Sequence, residues 1–113
     1  MGRCSDHDRL ASLPRRHVFG RNVPVATGFR ARLLGLAGLR RERAGAGLLL
    51  PGCASVHTFG MRFDLDLVFL DEGGRPLATV LGVPPRRLAS YRGAAAVLEL
   101  PSQQGGEFAA AAT

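Results

Sequence analysis

Apolar and polar residues alternate most clearly between residues 63 and 83. From Phe63 to Phe69 an apolar residue stands at every second position, which is the period of a β-strand with one buried face. A second alternating segment, residues 77–83, follows an Asp- and Gly-containing stretch at 71–74 that has the composition of a tight turn. This pattern predicts a β-hairpin in the second half of the chain.

Shorter apolar runs on both sides of the hairpin predict further strands. Leu48–Leu50 is stopped by Pro51 and Gly52, and residues 97–100 are closed by Pro101. Two valine-containing pieces between His17 and Val25, with residues 20–22 as a turn, favour extended structure. Pro24 favours an edge position for the second piece, because proline has no N–H to donate to a neighbouring strand.

The hydrophobic period changes to that of a helix between Thr27 and Gly38. Phe29, Leu33 and Leu36 stand at i, i+4 and i+7, with Thr27 as the predicted N-cap. The glycines at 35 and 38 weaken a helix and predict its end. Residues 40–47 are rich in Arg, Ala and Gly and are predicted to form a basic loop. The fold prediction is therefore mainly β, a small β-sandwich or barrel with one short α-helix near residues 28–37.

The length of 113 residues leaves room for one hydrophobic core. Residues 1–15 lack periodicity and are predicted to be a disordered leader, residues 16–101 the domain, and residues 102–113 a frayed tail. No stretch approaches the ~20 apolar residues of a membrane span, and the basic N-terminal segment has no hydrophobic centre like that of a secretory signal. We therefore expect a cytoplasmic protein with Cys4 and Cys53 both reduced.

The net charge of +6 is unevenly distributed. All 15 basic residues are Arg, and 11 of them fall within residues 1–62. A basic half of this kind attracts acidic partners without specifying one. Nonspecific nucleic-acid binding through the Arg-rich N-terminal half is therefore one functional alternative, although there is no aromatic-rich basic strand for stacking bases.

Polar chemistry concentrates between Pro51 and Phe69. In an extended chain Cys53, Ser55 and His57 point to one face. A small hydrolase using Cys53 or Ser55 as nucleophile, with His57 as base, is a second alternative. The sequence has no nucleophile-elbow glycine pattern that would support it.

Two other interpretations concern metal ions and paired carboxylates. Cys4 with His7 and Cys53 with His57 could supply four zinc ligands, but their spacings match no standard finger, so we expect no metal and no cofactor. Asp64 and Asp66 could flank a proton-transfer site. The favoured interpretation is a solvated face, or one acid that caps a nearby backbone amide.

The motif His-Thr-Phe-x-Met at residues 57–61, followed by Leu-Asp-x-Val-Phe-Leu-Asp at residues 65–71, resembles the DUF192 family, also called UPF0127. The resemblance extends over about residues 18–101. It implies a small, mainly β domain with a short helix at the Arg-x-x-Gly-Leu motif. The signature positions that it carries over are Arg32, Gly35, Leu36, His57, Thr58, Met61, Leu65, Asp66 and Asp71.

The resemblance implies no reaction, ligand or cofactor, and many relatives are exported or lipid-anchored. The chain departs from the family after Pro101, where relatives continue into a closing strand. We expect a non-enzymatic module that binds a small polar ligand or a protein partner, because polar residues cluster on otherwise apolar strands. The candidate binding residues are His57, Thr58, Met61, Arg62 and Asp66.

Overall fold

The computed structural model describes residues 10, 11, 13–18, 20–28 and 35–102. Within them the chain is mainly β, Leu10 and Ala11 are helical, and a further helical turn is named α1. The elements in chain order are β1 (Arg15–Val18), β2 (Arg21–Pro24), α1 (Arg41–Ala44), β3 (Leu48–Pro51), β4 (Ser55–His57), β5 (Leu65–Leu70), β6 (Pro76–Val83), β7 (Leu88–Ser90) and β8 (Ala96–Pro101).

A four-stranded antiparallel sheet with the order β3-β8-β5-β6 forms the centre of the molecule. All six residues of β5 are buried, as are Val97–Leu100 of β8. These are the two central strands of the sheet, each paired on both sides, and other elements cover both of their faces. The predicted hairpin is confirmed as β5–β6, and the predicted strands at 48–50 and 97–100 are confirmed as β3 and β8.

Both faces of this sheet are covered. One face carries Leu49, Val68 and Leu98, which cluster with valines of the β1–β2 hairpin. The other face carries Leu67 and Phe69, which cluster with residues of the segments around Leu36, β4 and Met61. The layers are stacked as in a sandwich, and the sheets do not close into a barrel. The sandwich form of the fold prediction therefore describes this chain.

One segment predicted as a loop, and one for which the sequence predicted no element, form regular structure. The basic segment 40–47 contains α1, whose Ala44 is buried in the larger core cluster. The segment after Pro84 contains β7, which pairs with β4 as a two-stranded ribbon. Both depend on partners distant in sequence, so local composition could not indicate them.

The predicted helix near residues 28–37 falls largely outside the described residues, because 29–34 are not among them. Residues 35–38 form a turn. Most of the predicted leader also lies outside, but Leu10 is buried in the larger core cluster and Arg15 begins β1. At the other end, the Ser102 N–H donates to the Asp64 carbonyl, and residues 103–113 lie outside the described residues.

Candidate functional site

A cavity of about 210 Å³ lies where β2, α1, β5 and the end of β8 meet. Its lining is mostly polar and carries charges of both signs. The residues that line it are Arg21, Arg41, Glu42, Gly45, Asp66, Leu100 and Pro101. Of the candidate residues from the sequence, Asp66 is the one that lies in this lining.

Asp66 is held in the cavity wall by an irregularity in the sheet. Leu65 pairs with Val83 and Leu67 with Val80, so two residues of β6, Leu81 and Gly82, lie opposite Asp66. Such a β-bulge leaves a backbone N–H without a partner in the ladder. The Gly82 N–H donates instead to Asp66 Oδ1 at 2.8 Å. The expectation that one of the two acids caps a backbone amide is confirmed for Asp66, whereas Asp64 is exposed.

The second carboxylate oxygen of Asp66 has no protein partner among the described residues. Asp66 is only 2% exposed, and its Oδ2 makes no hydrogen bond. Buried polar atoms nearly always have a partner, because an unmet one costs about 1–3 kcal/mol. Asp66 is among the residues that line the cavity, and Oδ2 is covered in this structure, so a ligand donor could satisfy this oxygen after a small shift of the cavity wall.

The remaining charges of the cavity come from residues that the sequence analysis left as a solvated loop or turn. Arg41 and Glu42 belong to α1, and Arg21 begins β2. Arg21 is exposed, whereas Arg41 is half-buried. No sequence spacing connects these three residues with Asp66, because the four come from three separate elements.

Thr58 lies elsewhere and has a structural role. It is fully buried, and its hydroxyl donates to the Pro84 carbonyl at 2.7 Å and accepts from the Arg87 N–H at 2.8 Å. Its backbone N–H also donates to the Arg87 carbonyl at 2.8 Å. Thr58 thus connects the Pro84–Arg87 loop to the end of β4.

The lining of the Asp66 cavity does not include His57, Met61 or Arg62. His57 is half-buried at the end of β4, and its Nδ1 accepts from the Phe59 N–H at 3.2 Å. Met61 is buried in the larger core cluster, and Arg62 is exposed. The five candidate residues are close in sequence, but β4 and β5 belong to different sheets.

The residues proposed for a hydrolase are not connected to each other. The Cys53 thiol donates to the Pro51 carbonyl at 3.6 Å, and Ser55 is exposed on β4. Among the described residues no hydrogen bond joins His57 to either of them. The same part of the chain holds no cluster of three or more His, Cys, Asp or Glu that could bind a metal ion.

The sequence analysis missed one buried acid, Glu99. It lies on β8 opposite Leu48 and Leu67 and faces the larger core. Burial raises the pKa of its carboxyl to about 7, although a backbone hydrogen bond from Leu36 opposes the increase. The available signal was a single carboxylate between Leu98 and Leu100, in a strand that is otherwise apolar.

Glu99 accounts for the glycine at position 35. Gly35 has a φ of +54°, and a Cβ there would lie 2.9 Å from Glu99 Oε1. Other signature positions are also structural, since Leu36 and Leu65 are fully buried. Asp71 Oδ1 accepts from the N–H groups of Gly73 and Arg75 in the β5–β6 turn. Arg32 lies outside the described residues.

A family model and two solved structures match this chain. The model is that of DUF192, described as an uncharacterized family, and it matches residues 14–111. A search of curated proteins found no match. None of the helices in the described part of the chain is long and apolar enough to cross a membrane.

Both solved structures share the fold at low sequence identity. A protein of unknown function from Novosphingobium aromaticivorans has a TM-score of 0.63 and 19% identity, over 78% of this chain and 65% of its own. The present chain thus spans about two thirds of that protein. A protein from Sinorhizobium meliloti described as a putative transcription regulator has a TM-score of 0.65 and 21% identity, over 88% of this chain and 84% of its own.

Proposed function

The chain belongs to the uncharacterised DUF192 family, and from its own geometry we propose that it is a non-enzymatic module that binds a small zwitterionic molecule. The ligand class is that of a small amino acid, with one cationic group and one carboxylate. The site is the Asp66 cavity between β2, α1, β5 and β8.

The observation that carries this proposal is the unpaired Asp66 Oδ2. The other oxygen already accepts from the bulge at Gly82, so the carboxylate is fixed in orientation. A ligand ammonium group would give Oδ2 both a hydrogen bond and an opposite charge. Hydrogen bonds between charged groups are about twice as strong as neutral ones.

The arginines of the cavity would bind the carboxylate of the ligand. Arg21 and Arg41 are both in the lining. Guanidinium groups suit carboxylates because their N–H groups match the two oxygens. A volume of about 210 Å³ is below the usual range for drug-sized ligands, ~300–1,000 Å³, which favours a molecule of few atoms.

The absence of a nucleophile from the lining favours binding over catalysis. Cys53, Ser55 and His57 do not line the cavity, and the Cys53 thiol is turned to a backbone carbonyl. Nucleophilic catalysis needs a base within hydrogen-bond reach of the attacking group. No such pair is found among the residues that line this cavity.

The test is an NMR titration of the ¹⁵N-labelled protein with β-alanine, and separately with methylammonium and inorganic phosphate. We expect β-alanine to shift the amide signals of Gly82 and Gly45, and each single-charge probe to bind more weakly. Asp66→Asn keeps an oxygen for the Gly82 N–H and removes the charge. It is expected to weaken β-alanine binding by about tenfold or more, since hydrogen bonds to charged groups contribute ~1.5–3 kcal/mol.

Asp64→Asn is the matched control, because Asp64 is exposed, two residues away, and absent from the lining. It should leave β-alanine binding unchanged. The proposal is wrong if β-alanine shifts no signal at the cavity, or if Asp64→Asn weakens binding as much as Asp66→Asn does.

Nucleic-acid binding is a second candidate, favoured by the β1–β2 hairpin. Arg15, Arg16 and Arg21 are all exposed on this two-stranded ribbon. The description of the Sinorhizobium protein as a putative transcription regulator agrees with this candidate. At 21% identity, however, the similarity shows a shared fold and not a shared function. Binding of duplex DNA that falls steeply as salt rises would support it. A failure to bind at low salt would exclude it.

A further inference from the structure

The outer edge of β6 is open and uncharged. β6 is the last strand in the order β3-β8-β5-β6, so within the described residues it has a partner on one side only. Its eight residues, Pro76–Val83, include no charged side chain, and Leu77 and Val80 are each about 40% exposed. Proteins usually protect long apolar edges with charges or short strands, because an open edge can pair with another chain.

The opposite edge of the same sheet, formed by β3, is partly covered. β3 is covered by the chain after β2, since Val25 forms a parallel bridge with Leu49 and the Ala26 N–H donates to the Leu49 carbonyl at 2.8 Å. Of the two edges of this four-stranded sheet, the β6 edge is therefore the one that no described strand or bridge covers.

Charges at the two ends of β6 indicate which partner fits the edge. The turn before β6 carries Asp71, Glu72 and Arg75, with a net charge of −1, and the loop after it carries Arg86 and Arg87, with a net charge of +2. In an antiparallel pair of identical strands, the start of one lies beside the end of the other. Each acidic turn then meets a basic loop, whereas a parallel arrangement would bring like charges together.

We propose that the β6 edge is a homodimer interface at which two copies of this chain pair β6 with β6, antiparallel and centred on Thr79. This would join the two four-stranded sheets into one of eight strands.

The register follows from the faces of the strand. Ala78 and Val80 pair with Phe69 and Leu67, so both lie on the face of the larger core, and Thr79 lies on the opposite face. A two-fold axis perpendicular to the sheet requires a residue to face its own copy. Centring on Thr79 sets Ala78 beside Val80 and Leu77 beside Leu81. The bulge at Gly82 limits regular pairing to about this segment.

An interface of this length is small, so the dimer is expected to be weak and concentration-dependent. The first experiment is analytical ultracentrifugation over a concentration series. Thr79→Arg places two like charges against each other on the axis and should shift the protein to monomer. Ser90→Arg is the matched control, because Ser90 is an exposed strand residue on β7 with the same change of charge. It should leave the dimer intact.

A cross-link tests the register directly. Opposed residues of antiparallel strands have Cα atoms about 4.5–5.5 Å apart, within the span of a disulfide. With Cys4 and Cys53 changed to Ser, Thr79→Cys should oxidise to a covalent dimer, and Ser90→Cys should not.

Charge reversal adds an independent test. Glu72→Arg and Arg86→Glu should each weaken the dimer, and the double variant should recover it.

A wild-type protein that stays monomeric across the series would overturn the proposal. So would a dimer that Thr79→Arg leaves intact, or one that Thr79→Cys fails to cross-link.

Discussion

At the scale of single residues, the chain places buried polar groups where they have distinct tasks. Thr58 holds a loop, Asp66 completes a bulge and lines a cavity, and Glu99 is an acid inside the core. These three are the buried polar or charged residues of the described structure. At each of these positions a substitution that keeps the shape of the side chain therefore tests the role of its polar group.

Replacement of the Thr58 hydroxyl is expected to destabilise the fold. Thr58→Val keeps the shape of the side chain but leaves the Arg87 N–H and the Pro84 carbonyl without that partner, which should cost about 1–3 kcal/mol. Urea denaturation measures this loss, and Thr58→Ser should recover most of it. Ser55→Ala, at an exposed position of β4, is the control and should lie within about 0.5 kcal/mol of wild type. An unchanged stability of Thr58→Val would show that water replaces the hydroxyl.

Glu99 should make the stability depend on pH. Its pKa rises from 4.5 to about 7 on folding, so between these values the folded protein binds the proton more strongly. The contribution of Glu99 to the free energy of unfolding is therefore greatest below pH 4.5 and falls as the pH rises to about 7, where it levels off.

The measurement is urea denaturation of wild type and Glu99→Gln from pH 4.5 to 8. The glutamine side chain of the variant cannot ionise. As the pH rises over this interval, the free energy of unfolding of Glu99→Gln should therefore increase relative to that of wild type. If the free energy of unfolding changed equally with pH in both proteins, Glu99 would not be the group whose protonation changes on folding. Asp64→Asn, a substitution of an exposed acid, should follow the wild-type slope.

At the scale of elements, the β-bulge between β5 and β6 determines where Asp66 points. Alternation along 63–70 identifies the strand but sets Asp64 and Asp66 on the same face as equivalent acids. The extra residue in β6 breaks this equivalence, because Gly82 turns its N–H to Asp66.

Gly82→Ala should weaken the bulge. The glycine has a φ of +65° with open space around it, so the cost is backbone strain rather than a clash. We expect a loss of stability of about 1 kcal/mol and a shift of the amide signal at position 82. Gly73→Ala is the control, since Gly73 does not have a positive φ and a Cβ would meet Asp71 at an ordinary distance of 3.5 Å. A larger loss at position 73 than at 82 would contradict this account.

At the scale of the whole molecule, the central sheet and the β4–β7 ribbon differ in burial. β5 and β8 are buried on both faces, whereas the ribbon has only three residues per strand and Leu88 is 77% exposed. The ribbon is connected to the rest through Val56 in the core and the bonds of Thr58.

Hydrogen exchange should reflect this division. Amides of β5 and β8 are expected to exchange only through global unfolding, and those of β4 and β7 through local opening with a lower free energy. In Thr58→Val the amide hydrogens of β7 should exchange faster than wild type by a larger factor than the loss of global stability alone would produce. Equal protection of the ribbon and the central sheet would contradict this picture.

The sequence by itself determined the strands of the central sheet, the β5–β6 turn and the family. Hydrophobic alternation, apolar runs and turn residues are local signals, and the motif at residues 57–71 is contiguous. The same local signals could not indicate β7 or α1, whose formation depends on pairing with β4 and packing around Ala44.

Only the tertiary structure decided which polar residues share a site. His57, Thr58 and Arg62 are near Asp66 in sequence, yet the lining of its cavity comes from β2, α1 and β8. The reason is physical: side chains meet where elements pack, and packing brings together residues up to 80 positions apart, such as Arg21 and Pro101. A pattern along the chain records which face of an element is buried but not which element covers it.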